Sequence, residues 1–91
     1  MAHTIHMAVN AKLSESDLIF RILNFKEDIH RELLLGNYGT VVDATAMDRA
    51  LAPVTITVPR KRHYGHISRV MAEALRRHGV ADAIQITAEH S

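Results

Sequence analysis

One basic segment, residues 60–69, gathers the side chains of this chain that are best suited to binding chemistry. Its candidate contact residues are Arg60, Lys61, Arg62, His63, Tyr64, His66 and Arg69. Guanidinium and ammonium groups bind phosphate and carboxylate oxygens, and a tyrosine can stack or donate a hydrogen bond. The segment leads into a predicted helix, whose first N–H groups and positive dipole end favour anions. The pattern predicts a contact surface for an acidic partner or an anionic ligand; the competing interpretation is a solvated strand–helix loop.

The histidines of this segment support a second hypothesis. His63 and His66, together with Tyr64 and Lys61, could supply an acid, a base and an electrostatic stabiliser for phosphodiester cleavage. A small nucleic-acid-processing protein, nuclease-like, is therefore the alternative to a non-enzymatic binding or regulatory module. The module is favoured, because closeness in sequence is weak evidence for catalytic geometry.

The spacing His-x-x-His occurs twice, at His3 and His6 and again at His63 and His66. Neutral imidazoles bind zinc, copper or nickel. On a strand, residues three apart point to opposite faces, which disfavours the first pair. The second pair lies across a helix start, where the rings could converge, but no third ligand is evident. We therefore predict neither a metal nor a cofactor.

Length and composition exclude several classes of protein. The 91 residues suffice for one small domain, 1–91. The absence of cysteine excludes disulfides and thiolate chemistry and suits a cytoplasmic location. No stretch approaches the roughly 20 apolar residues of a membrane span, and residues 1–4 lack the apolar core of a signal peptide. The net charge of +1 is too balanced to argue for nucleic acid by charge alone, so backbone contact to nucleic acid is a weaker hypothesis.

Hydrophobic periodicity predicts the elements that position the basic segment. Alternating residues predict four strands, over residues 4–9, 40–47, 54–58 and 83–88. A 3.6-residue apolar period predicts two helices. The first begins at the capping candidates Ser14–Asp17 and ends at Gly36–Asn37, and the second runs from the basic segment to His78–Gly79. We expect residues 89–91 to fray.

Residues 18–25 allow two interpretations, because apolar side chains there occupy both strand parities. They are either part of the first helix or a separate strand, with the helix beginning near Lys26. The long helix is favoured, since the 3.6-residue period continues unbroken through Leu33.

The order β-α-β-β-α-β predicts an α+β fold, a ferredoxin-like sandwich in which a four-stranded antiparallel sheet carries both helices on one face. The other face is polar and rich in hydroxyl groups, with His6, Thr55, Thr57, Gln85 and Thr87. It lacks the aromatic platform of RNA-recognition sheets, which disfavours that mode of binding. We expect a homodimer, because open faces and edge strands commonly pair with a second copy. A purely structural, self-associating domain is the third functional hypothesis.

Overall fold

The structure is a computed structural model that describes residues 3–90, and this part of the chain forms four strands and three helices. The elements are β1 (His3–Val9), α1 (Ser16–Gly36), β2 (Val41–Val42), α2 (Ala44–Met47), β3 (Val54–Val58), α3 (Lys61–Arg77) and β4 (Ile84–His90). The strands form one antiparallel sheet in the order β2-β3-β1-β4. The predicted α+β class and four-stranded antiparallel sheet are therefore confirmed. Part of the signal-peptide expectation concerns Met1 and Ala2, which lie outside the described residues.

One face of the sheet packs against α1 and α3. On β1, Ile5 and Met7 are buried, and on β3 so are Val54, Ile56 and Val58. The intervening residues lie on the opposite face, as the period of two requires. Both long helices contribute apolar side chains to the same core, which contains Ile22, Phe25, Ile29 and Leu33 of α1 and Ile67, Met71 and Ala74 of α3. This aliphatic core fixes α3 against the sheet.

The first helix is the long one, so the interpretation of residues 18–25 as a strand is wrong. Ile22 and Phe25 are fully buried on the same helical stripe as Ile29. Neither predicted serine caps the helix, whose N-cap is Glu15 without a side-chain cap bond. The carboxylate of Glu15 instead accepts a bond from the Lys12 N–H at 2.8 Å.

The predicted second strand, residues 40–47, is mostly wrong. Only Val41 and Val42 pair, with Thr57 and Ile56 of β3. The chain then leaves the sheet because the Asp43 carboxylate accepts a bond from the Thr45 N–H at 2.9 Å and begins the single turn of α2. Side-chain capping by aspartate offers the backbone an alternative to the strand ladder, and here it outweighs the alternating pattern.

The connection from α2 to β3 is held by a lysine from α1. Lys26 is fully buried, and its Nζ donates to the carbonyls of Ala46 at 3.0 Å, Arg49 at 2.5 Å and Ala52 at 2.8 Å. Burial lowers the pKa of Lys26 from 10.5 to about 8, so the group is still an ammonium at neutral pH. An ammonium has three donors, and each has a partner here.

The last strand runs past its predicted end. The expectation that residues 89–91 fray is wrong for Glu89, which pairs with Thr4 across the sheet, and Ser91 lies outside the described residues. The Glu89 carboxylate lies 3.1 Å from Nε2 of His6, which holds this end of β4 against β1. Within residues 3–90, no helix combines the length and the apolar character needed to span a bilayer.

Candidate functional site

The basic segment is the beginning of α3 rather than a loop. Arg60 is the N-cap, with extended backbone angles (φ −114°, ψ 119°), and the helix begins at Lys61. The predicted loop was wrong because Pro59 ends β3 and the residues directly after the N-cap, Lys61 and Arg62, are good helix formers. Five of the predicted contact residues therefore lie in the first two turns of α3, namely Lys61, Arg62, His63, Tyr64 and His66.

The N-terminus of α3 carries positive charge where helices usually carry negative charge. No acidic residue lies in its first turn, and the N-cap makes no side-chain cap bond, because arginine has no acceptor atom. The His63 N–H reaches the Arg60 carbonyl at 3.0 Å, which leaves the N–H groups of Lys61 and Arg62 ahead of the first helical bond. Each charge at a helix end contributes about 0.3–1 kcal/mol, so three cations here disfavour the helix unless an anion offsets them.

A cleft opens beside this helix start. Its volume is about 610 Å³. It lies between the connection that joins α1 to β2 and the junction of β3 with α3, and its lining residues are Asn37, Tyr38, Gly39, Pro59, Arg60, Arg62 and His63. Both arginines of the cleft are exposed, so their guanidinium groups can reach a bound anion. We call this volume the basic cleft.

Tyr38 forms the aromatic wall of the basic cleft. Its ring centroid lies 5.1 Å from that of His63 and 5.8 Å from that of His66, with tilted planes. Gly36 makes this position possible, because a Cβ at residue 36 would overlap the Tyr38 ring. Asn37 ends α1 in the left-handed conformation, with φ 51°, and turns the chain toward the cleft.

The remaining predicted contact residues lie along α3. Arg62, His66 and Arg69 follow the spacing i, i+4, i+7, and all three are exposed, so they form one stripe that leads away from the cleft. Lys61 is also exposed. Tyr64 points elsewhere: it is half-buried, and its ring lies 5.3 Å from the ring of His3 on β1. It joins the helix start to the sheet and does not line the cleft.

A second polar cluster lies on the open face of the sheet, around His6. Its Nδ1 lies 3.2 Å from the Thr55 hydroxyl, and its Nε2 lies 3.1 Å from the Glu89 carboxylate. His3 is buried on the opposite face, as the strand period predicts. A hydroxyl, an imidazole and a carboxylate in this order resemble a nucleophile–base pair with an orienting acid. The side chains of His6 and Glu89 are 41% and 70% exposed, so water solvates the cluster.

The sequence pattern did not predict that residues 37–39 line the basic cleft. Asn37, Tyr38 and Gly39 carry no charge, and only the chain path brings them beside Arg60 and Arg62. The one available signal was an aromatic residue between two turn-forming residues at a helix end.

No group of three or more His, Asp or Glu side chains placed to hold a metal ion occurs in residues 3–90. The chain matches no protein-family model, no curated protein and no solved structure.

Proposed function

We propose that the protein is a small non-enzymatic binding or regulatory module that binds an acidic partner or an anionic ligand in the basic cleft. One observation carries this proposal: Arg60, Lys61 and Arg62 surround an uncapped helix N-terminus that borders an open volume of about 610 Å³. Positive charge at this place disfavours the isolated fold and favours a complex with an anion.

The chemistry of the cleft fits phosphate or carboxylate groups. Arg60 and Arg62 offer forked donors that match two oxygens of one anion, and the first N–H groups of α3 offer further donors. An anion bound there would supply the capping acceptor that Arg60 lacks. The exposed stripe of Arg62, His66 and Arg69 extends the surface for a ligand with several charges, such as an acidic peptide.

Two finer expectations, about topology and location, also enter here as proposals. The strand order β2-β3-β1-β4, with α1 and α3 sharing one core on one side of the sheet, supports a ferredoxin-like arrangement of the two β-α-β halves. The short α2 is then an insertion before β3. The absence of cysteine supports a cytoplasmic location.

The binding proposal is tested with a paired substitution, Arg60→Ala with Arg62→Ala. Titration calorimetry with inorganic pyrophosphate and with a poly-glutamate peptide measures the affinity. We expect the affinity for at least one probe to fall about tenfold or more, because charged hydrogen bonds contribute about 1.5–3 kcal/mol each. Wild-type binding should also weaken as salt rises, since much of the attraction is electrostatic.

The matched control is Arg31→Ala with Arg76→Ala. It removes the same charge from exposed positions outside the cleft. Equal losses of affinity in both variants would show that net charge alone explains the effect, which would contradict a localised site. The proposal is also overturned if neither probe binds the wild type.

A nuclease-like activity is the second candidate, because His63 lines the same cleft and packs on Tyr38. The paired change His63→Ala with His66→Ala separates the candidates. If this variant no longer cleaves a single-stranded oligonucleotide but still binds it, the enzyme is supported. Undetectable cleavage by the wild type excludes it for this substrate. If neither the arginine pair nor the histidine pair alters binding or turnover, the purely structural domain is favoured.

A further inference from the structure

The outer edge of β4 is the longest unpaired backbone edge of the sheet. β4 spans seven residues, and each pairs one-to-one with β1, from Val9 with Ile84 to His3 with His90. The other edge strand, β2, has two residues and is followed directly by α2. Proteins usually protect a long edge with proline, a bulge, a covering element or inward charges. The β4 segment has no proline and no bulge, and its one acidic residue is Glu89.

The hydrogen bond that begins the β1–β4 ladder shows which backbone groups face outward. The Asn10 N–H donates to the Ala83 carbonyl at 2.7 Å. In an antiparallel ladder, alternate residues turn both backbone groups toward the same neighbour. The backbone groups of Gln85, Thr87 and Glu89 therefore face β1. Those of Ile86 and Ala88 face outward, as does the Ile84 carbonyl, whereas the Ile84 N–H donates to the Val80 carbonyl at 3.1 Å.

The outward groups of β4 complement those of a second β4. We propose that two copies of this chain pair antiparallel through β4, with Thr87 on the two-fold axis, and form a continuous eight-stranded sheet. In this register Ile86 faces the partner's Ala88, and both residues carry outward backbone groups. Residues 85–89 are then paired, and the parity of the ladder is satisfied on both sides.

The side chains of β4 agree with this register. On the helix side, Ile86 is half-buried and Ala88 is exposed, so the sheet there carries apolar surface that the helices do not cover. Pairing places these two residues opposite each other across the axis. On the open side, Glu89 faces the amide of the partner's Gln85, so no two carboxylates face each other across the interface.

The pairing leaves the basic cleft free. The cleft is lined by residues 37–39, next to β2 at the other edge of the sheet, so a dimer through β4 presents two clefts. The inference does not depend on the proposed function, since it uses none of the residues of the cleft.

Single cysteines test the register directly, because the chain has no cysteine of its own. On the axis, the two Thr87 residues form a non-hydrogen-bonded pair with Cα atoms about 4.5 Å apart, within disulfide range. Thr87→Cys should therefore form a covalent dimer under mild oxidation. The control Gln85→Cys is equally exposed, but its two copies would lie about 13 Å apart, four residues along the strands, beyond disulfide range. Equal cross-linking of both variants, or none in Thr87→Cys, overturns the register.

Sedimentation equilibrium tests the dimer itself. The wild type should show a reversible monomer–dimer equilibrium, and Ala88→Pro should be monomeric, because proline removes an N–H that faces outward and leaves the β1 ladder intact. Circular dichroism verifies that Ala88→Pro is folded. If that variant unfolds, Ala88→Lys places a charge at the same interface and should also be monomeric. A monomeric wild type, or folded variants that dimerise as the wild type does, overturns the proposal.

Discussion

At the scale of single residues, two charged groups of α1 hold distant parts of the chain, and both lie outside the basic cleft. Lys26 binds three carbonyls between Ala46 and Ala52. Asp28 accepts bonds from Arg77 and, at 2.9 Å, from Nε2 of His78, which ties α1 to the end of α3. Both interactions join segments far apart in sequence, so their loss should lower global stability.

We predict that Lys26→Met lowers the free energy of unfolding by about 2–3 kcal/mol, because methionine fills the space but leaves three carbonyls without a donor. Urea denaturation at neutral pH measures the change. The control is Lys12→Met, whose lysine is exposed, and its effect should stay within about 0.5 kcal/mol. Equal effects of the two substitutions would contradict a structural role for the three bonds of Lys26.

Asp28 gives a pH-dependent prediction. The hydrogen bonds from His78 and then Arg77 hold the pKa of Asp28 below its ordinary value of 3.8. A carboxyl group whose pKa is lowered by folding stabilises the protein above the unfolded value and loses that contribution as the pH falls through the folded value. Asp28→Asn should therefore cost about 1–2 kcal/mol at neutral pH.

The cost of Asp28→Asn should shrink as the pH falls from 3.8 through the lower folded pKa, because the unfolded wild-type chain is protonated first and the folded carboxyl group becomes neutral only at the lower value. Urea denaturation of both proteins across this range measures the difference. A constant difference at all pH values would show that packing, and not charge, explains the effect.

At the scale of elements, the positive charge at the beginning of α3 favours anion binding but lowers the stability of the helix. Arg60 already has the extended backbone of an N-cap but no acceptor atom. We predict that Arg60→Ser raises the free energy of unfolding by about 0.5–2 kcal/mol relative to Arg60→Ala, because the serine hydroxyl accepts from the first turn. Both substitutions remove the same charge, so thermal denaturation of the pair isolates the cap. Equal stabilities would mean that the first turn is already capped in another way.

The elements also show where the sequence was sufficient and where it was not. The long helix, β1 and β3 were predicted because their apolar periods are unbroken. Residues 40–47 were mispredicted because one side-chain cap at Asp43 outweighs a short alternating pattern. Only the α3 side of the basic cleft was predicted, because its residues are basic. Only the fold brings the uncharged side, residues 37–39, into place.

At the scale of the whole molecule, the sheet is protected unevenly. β1 is central and pairs with β3 on one side and with β4 on the other. β3 pairs fully with β1 but only partly with β2, which pairs through two residues. We predict that the amides of Ile5 and Ile56 exchange most slowly with deuterium and that those of β2 exchange early. Amide exchange followed by NMR measures this order. Protection of β2 equal to that of β1 would contradict the short second strand.

Amide exchange also connects the fold to the proposed dimer. In dilute protein, the amides of Ile86 and Ala88 should exchange rapidly, because they face outward, whereas that of Thr87 faces β1. At higher concentration, the two outward amides should become protected, and Thr87 should change little. In Ala88→Pro, the exchange rate of the Ile86 amide should not depend on protein concentration.

The burial of Lys26 has a chemical consequence. The chain has three lysines, and Lys12 and Lys61 are exposed while Lys26 is enclosed with all its donors engaged. An amine-directed reagent will therefore modify the two exposed side chains in the native protein and reach Lys26 only when the segment from Ala46 to Ala52 detaches from α1. The rate at which this one amine is modified therefore reports the rate at which the fold opens around it. Mass spectrometry can measure that rate in a mixture or in a living cell.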